Sequence, residues 1–256
     1  MEMVREIRRW GNSAGILLPK EWLGNQVRVI LIDRTLEIKK EVFGILEPYL
    51  EDILGIYLVG SYARGEEKKN SDIDVVAISK NTNKNIKSGK YDLSIVKLDN
   101  IRKTIESDPI LILPRLKEAK AILNKYLLEE LVDIKIKKDS FKEFIEDSKR
   151  IIKINREFIK LDKEQGFEYL DSISIVYSII LRLRGIFIIN ALLKNKKYIK
   201  KEFIGWIEKE VGKREVMLAY NIYESIRDRK KIHEKIRINT IEELLNLLQK
   251  ETEKLQ

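Results

Sequence analysis

Apolar and polar positions change rhythm twice along this chain. Residues 4–10 alternate like a strand, 11–15 are small and polar like a turn, and 16–18 read as a second strand stopped by Pro19. One helical turn over 20–23 and a third strand over 27–32 complete this first stretch. Residues 35–54 then repeat apolar positions at helical spacing, with Leu36, Phe43, Leu46, Leu50 and Ile53 near one face; Pro48 predicts a kink or two shorter helices. A buried strand over 56–59 follows, then a turn at Gly60-Ser61, a short helix over 62–67, a turn over 68–71 and a strand over 72–79. Residues 80–90 are polar and predict a loop, and 91–98 alternate as a strand. Residues 109–124 predict a helix running into a short strand or turn, and 126–132 another helix. After a basic hinge ending at Ser140, a plausible N-cap, the rhythm is helical throughout, near 141–164, 167–194, 199–211, 213–230 and 240–254. The expected fold class is α+β: a small β module over 1–34, an α/β core on a mixed sheet over 35–135, and an all-α bundle over 136–256.

The candidate chemistry sits where the strands are. Side chains alternate with period two, so Asp72 and Asp74 share one face of their strand. They follow a small-residue turn that lets backbone amides approach a ligand, and a helix start suited to phosphate. A solvated acidic turn between two strands is the plain alternative. The full pattern is Gly60-Ser61, ten residues including Arg64-Gly65, then Asp72-Ile73-Asp74 with an apolar tail over 75–78. It resembles the minimal nucleotidyltransferases of the DNA-polymerase-β superfamily. The resemblance implies that Gly60 and Ser61 bind phosphate, and that Arg64 either reaches the triphosphate or pairs with Glu67. It also implies a third carboxylate from a neighbouring strand. Asp92 holds the matching position; Asp99 at a strand end and Asp108 before Pro109 are rivals. Asp72, Asp74 and Asp92 would then be the catalytic set and would hold two Mg²⁺ ions, with Mn²⁺ able to replace them. The implied reaction moves a nucleoside monophosphate, AMP if the donor is ATP, to an acceptor hydroxyl. The segment 116–124 resembles the stretch after the catalytic strands of archaeal relatives.

Arg8-Arg9-Trp10-Gly11-Asn12-Ser13, followed by apolar residues, Pro19 and a helical turn, resembles the AbrB/MazE-type swapped-hairpin domain. So short a piece cannot bury its own core. The resemblance therefore implies a homodimer through residues 1–34, often with DNA contacts from basic residues, here Arg5, Arg8, Arg9 and Arg28. Leu17 stands where DNA-binding relatives often carry a basic residue, so dimerisation or tethering alone is the rival role. The helical part resembles the C-terminal domain of kanamycin-nucleotidyltransferase-like proteins, on Leu183-Arg184-Gly185 through Lys194 and Lys197-Tyr198. That resemblance places the acceptor beside this domain. Arg227 and His233 fit the loose spacing of HEPN ribonucleases, and equally a basic helix end.

Composition narrows these readings. The chain has 256 residues, 44% hydrophobic and 36% charged, as in a globular protein. With no cysteine and one histidine, it has no disulfide, thiolate site or histidine cluster. A net charge of +9 and a pI near 9.3 favour polyanionic ligands, nucleoside triphosphate or nucleic acid. Residues 173–193 are apolar enough to raise a membrane span, but Arg182, Arg184 and Asn190 interrupt them, so a buried bundle helix and no membrane partner are expected. The first residues carry no apolar stretch after a basic one, so a cytoplasmic location is expected. The acceptor stays open between a small molecule, an RNA end and a protein. A second class also stays open, a DNA-binding regulator or antitoxin whose nucleotidyltransferase domain modifies or only binds its partner.

Overall fold

The computed structural model describes residues 8–27 and 35–255. Packing divides the chain into two compact units, 1–42 and 43–256.

In the first unit, β1 (Arg8–Trp10) and β2 (Ser13–Gly15) pair antiparallel, with Arg8 opposite Gly15 and Trp10 opposite Ser13. The turn between them is only Gly11-Asn12, with Gly11 at φ +57, as a two-residue hairpin loop demands. The second strand therefore starts at Ser13, three residues before the predicted one, and 16–18 are not a strand. A 3-10 turn, Lys20–Trp22, follows Pro19. The expected third strand lies almost wholly outside the described residues, as do Arg5 and Arg28.

Helix α1 (Thr35–Leu46) crosses the division between the units. Pro48 ends its α-helical course, and a 3-10 helix, Glu47–Asp52, continues to the sheet, which is the predicted break. The second unit then builds β3 (Ile53–Val59), α2 (Gly60–Arg64), β4 (Ile73–Ser79), β5 (Lys84–Ser88), β6 (Tyr91–Lys97), α3 (Leu98–Ser107), α4 (Leu113–Glu118), β7 (Lys120–Leu123) and α5 (Lys125–Val132). The five strands lie in the order β5-β6-β4-β3-β7. β4 and β6 are parallel and the other neighbours antiparallel, so the sheet is mixed as expected.

The predicted loop over 80–90 contains β5. Its sequence Lys-Asn-Ile-Lys-Ser carries no apolar alternation because it is an edge strand, exposed at four of five positions. At the other edge, Asn124 (φ +58) joins β7 to α5: its side chain accepts from the Leu127 amide at 3.1 Å and donates to the Leu54 carbonyl at 2.9 Å. The Tyr57 hydroxyl donates to the Asn124 carbonyl at 3.0 Å, tying β3 to the same corner.

Five helices follow: α6 (Lys142–Glu164), α7 (Ser174–Leu193), α8 (Lys200–Val211), α9 (Lys213–Arg227) and α10 (Ile238–Glu253). Helix α7 is long and apolar enough to cross a membrane, but Val176, Ile179, Leu183, Ile186 and Ile189 are fully buried at the centre of the bundle. One hydrophobic core runs continuously from Tyr57, Val59, Val76 and Ile78 of the sheet to Leu248 and Leu255. The sheet face carrying Val76 and Ile78 is therefore the face turned to the helices.

Candidate active site

Asp74 lies on that same face, two and four residues before Val76 and Ile78. The registers place it in one lateral row: Val59 on β3 opposite Asp74, Asp74 opposite Asp92 on β6, and Asp92 opposite Lys87 on β5. Asp74 and Asp92 are thus direct neighbours on parallel strands. Asp72 stands one pleat earlier, just before β4, and is exposed. Val59 ends β3 and Gly60 begins α2, so the helix starts one residue beyond this row. It starts two residues earlier than predicted, which brings Gly60 and Ser61 into its first turn, where amides have no intrahelical acceptor. Gly65, at φ +70, ends it.

The junction is tight. Gly60 has φ +71, and a Cβ there would stand 2.3 Å from Asp74 Oδ2. Only glycine supplies both the backbone angle and the room for the carboxylate. Burial holds the Asp74 carboxyl above its ordinary pKa, Asp92 and Asp72 push it the same way, and Arg115 and Arg64 oppose them. Arg115 on α4 was not singled out from the sequence. Nothing in its local pattern separates it from Lys117; only the packing of α4 beside β3 and α2 brings it to Asp74.

Arg64 donates to Glu66 and to Glu118 on α4, each at 2.7 Å, rather than to Glu67 as one of its two predicted roles had it. Lys87 stands 3.5 Å from Asp92, an exposed pair that β5 makes and the loop prediction hid. Asp99 lies exposed in the first turn of α3. Asp108 is pushed up by burial and by Glu143 of α6, so its electrostatic partner belongs to the bundle.

Among the described residues, no three Asp, Glu, His or Cys side chains are gathered closely enough to hold a metal ion unaided. The donor chemistry nevertheless fits a hard divalent cation: three carboxylates, mutually repelling, beside a helix start that leaves phosphate oxygens to complete the shell.

The remaining predicted residues lie elsewhere. Arg8 and Arg9 are on β1 of the first unit, where Arg9 Nε donates to the Gly11 carbonyl at 3.1 Å. Arg227 is held by Asp228 at 2.8 Å and Glu224 at 3.8 Å, while His233 is exposed in the following loop. Among the described residues no hydrogen bond or ion pair joins the two.

The family model described as "Nucleotidyltransferase domain" matches residues 39–161, and one described as "Putative transposon-encoded protein" matches 3–35. A "Putative protein adenylyltransferase" of Methanocaldococcus jannaschii is 36% identical over 139 residues, covering 52% of this chain and 90% of that one. Among solved structures, the spectinomycin adenyltransferase AAD(9) of Enterococcus faecialis is 19% identical with a TM-score of 0.43, over 84% of this chain and 99% of that one. A nucleotidyltransferase-like protein of Exiguobacterium sibiricum is 13% identical with a TM-score of 0.39, over 85% and 75% respectively.

Proposed function

Because this chain belongs to the nucleotidyltransferase-domain family and is a nucleotidyltransferase, we propose that it moves AMP from ATP to an acceptor hydroxyl at the carboxylate row of β4 and β6. One observation carries the placement: Asp74 and Asp92 are opposed on parallel strands, at the end where Gly60 and Ser61 open α2. In this reading the acceptor hydroxyl loses its proton to solvent as its oxygen attacks the α-phosphorus, the bond from that phosphorus to the bridging oxygen breaks, and pyrophosphate leaves. The first-turn amides of α2 and the Ser61 hydroxyl donate to the β- and γ-phosphate oxygens. Arg115, beside Asp74, offsets the negative charge brought by the nucleotide. Arg64 braces α2 against α4 through Glu118, a positioning role. Asp72, Asp74 and Asp92 would hold Mg²⁺, or Mn²⁺ in its place, which when bound would supply charge neutralisation on the phosphates.

The test is labelled ATP with Mg²⁺ and cell extract, followed by identification of what becomes labelled. Transfer should require the divalent ion and vanish in Asp72→Asn and Asp74→Asn. Full transfer by either folded variant would sink the assignment.

The domain limits 1–34, 35–135 and 136–256 and a cytoplasmic location are part of the same proposal. So is a homodimer through residues 1–34, supported by Trp10, Leu17 and Leu23, which are 65%, 61% and 76% exposed in the single chain. Arg5, Arg8 and Arg9 would be its contacts with DNA, if salt-dependent operator binding is measured.

A further inference from the structure

Of the three carboxylates at the site, Asp92 already has a cation. Among the described residues Lys87 Nζ stands 3.5 Å from Asp92 Oδ2, whereas Asp72 and Asp74 take part in no ion pair. The backbone builds this pair. β5 and β6 are joined by a two-residue turn, Gly89-Lys90, with Gly89 at φ +55. Such a turn fixes the register, and a slip of one residue would send Lys87 to the opposite face. The turn is itself tied to β4, since the Ile73 amide, between Asp72 and Asp74, donates to the Lys90 carbonyl at 2.7 Å. At the far end of the hairpin the Lys97 amide donates to the Asn83 side-chain oxygen at 3.3 Å. Lys87 is therefore held directly opposite Asp92, on the sheet face that carries Asp74.

Strand spacing decides what that ammonium serves. Neighbouring strands stand about 4.8 Å apart, so β5 lies about 5 Å from β6, about 10 Å from β4 and about 14 Å from β3, where α2 opens. Lys87 thus acts on Asp92 and not on phosphates held at the first turn of α2. Both partners meet water: the Lys87 side chain is 79% exposed and the Asp92 side chain 38%. An ion pair this exposed is weak enough to be exchanged. A hard divalent ion needs the same carboxylate oxygens that the ammonium occupies. The plain alternative is a lysine that only guards an edge strand against pairing. Lys84 has that character on the other face of β5, where it donates to the Tyr49 hydroxyl at 2.6 Å. An edge guard needs no acid opposite it, and Lys87 faces the acid that the site needs.

We propose that Lys87 is the resident counter-ion of Asp92 and that a divalent ion binds this carboxylate only by displacing it, so that Lys87 sets the metal affinity of the site. This rests on the carboxylate assignment in the transfer reading above. While Lys87 is in place it offsets part of the repulsion between Asp92 and Asp74. Once displaced, its ammonium passes into water that already surrounds most of the side chain.

Binding is read on the full chain without nucleotide, as the Mn²⁺ concentration that half-broadens the amide NMR signals of Asp74 and Asp92. Lys87→Gln is expected to lower that concentration about three- to fivefold, the scale of one exposed ion pair, while Lys87→Arg stays within about twofold of wild type. Lys84→Gln removes the same charge from the same strand but not from Asp92, and should shift it less than about 1.5-fold because solvent screens the difference. In an Asp92→Asn background, Lys87→Gln should change nothing further. Unchanged Mn²⁺ affinity in folded Lys87→Gln would overturn the proposal and leave Lys87 an edge guard. Equal tightening by Lys87→Gln and Lys84→Gln would overturn it as well, since general charge and not exchange at Asp92 would then be at work. So would the absence of broadening in wild type and Lys87→Gln alike at millimolar Mn²⁺. A chain that bound Mn²⁺ in the expected pattern but transferred nothing would keep this inference and lose the transfer reading. Metal-dependent transfer with a Mn²⁺ affinity indifferent to Lys87 would do the reverse.

Discussion

Gly60 and Asp74 constrain each other directly. The carboxylate occupies the space a Cβ would need, and the backbone at Gly60 is left-handed. Gly60→Ala is expected to lose about 1–3 kcal/mol in urea denaturation, since a strained angle and a displaced carboxylate both add cost. Transfer should fall with it, and a variant with unchanged stability would show that the junction relaxes freely. Asp74 itself works against the fold at neutral pH. Its proton is held more tightly in the folded chain than in the unfolded one, because burial and the carboxylates of Asp92 and Asp72 disfavour its charge. That contribution to stability is complete below the ordinary carboxylate range and is lost as pH rises through the raised value. Asp74→Asn should therefore raise the melting temperature at pH 7 while abolishing transfer, and should flatten the fall in stability just above the carboxylate range. A lower melting temperature at pH 7 would contradict this electrostatic account.

Among the elements, α7 shows how a pattern can be read correctly in kind and still leave its neighbours unknown. Its apolar run predicts a buried helix, and Leu183 and Ile186 are indeed fully buried. What the run does not disclose is why Gly185 interrupts it. A Cβ there would meet Phe144 of α6 at 2.4 Å, so the glycine sets how closely two helices approach. Gly185→Val is expected to cost about 1–3 kcal/mol through overpacking. Pairing it with Phe144→Ala should recover part of that loss, which a double-mutant cycle by chemical denaturation measures. Strictly additive losses would mean that the two side chains do not compete for the same space. β5 is the opposite case. Its pattern is polar because an edge strand has little to bury, and its partner β6 alone makes it a strand. Hydrophobic rhythm carries no signal there.

The two compact units differ in how much they can bury alone. The larger holds a continuous core from the sheet to the last helix. The smaller exposes Trp10, Leu17 and Leu23, side chains that a second copy would cover. The full chain is expected to sediment as a dimer, and Trp10→Glu combined with Leu23→Glu should shift it toward monomer without changing the melting of the larger unit. A wild-type monomer would remove the interlocking reading of residues 1–34.

Order along the chain was enough to reveal the reaction type, because Gly60-Ser61 and Asp72-x-Asp74 are local signals: a turn, a helix start and a two-residue period need no distant partner. The same holds for the break at Pro48 and for the helical character of the last half. The resemblance also pointed to Asp92 on a neighbouring strand, and the register does set it opposite Asp74. Two facts needed the tertiary structure. Arg115 acts on the charge of Asp74 only because α4 packs beside β3, and Lys87 meets Asp92 only because an edge strand pairs. Charge and burial depend on what surrounds a side chain in space, and residues brought together from tens of positions apart leave no periodic trace in the sequence.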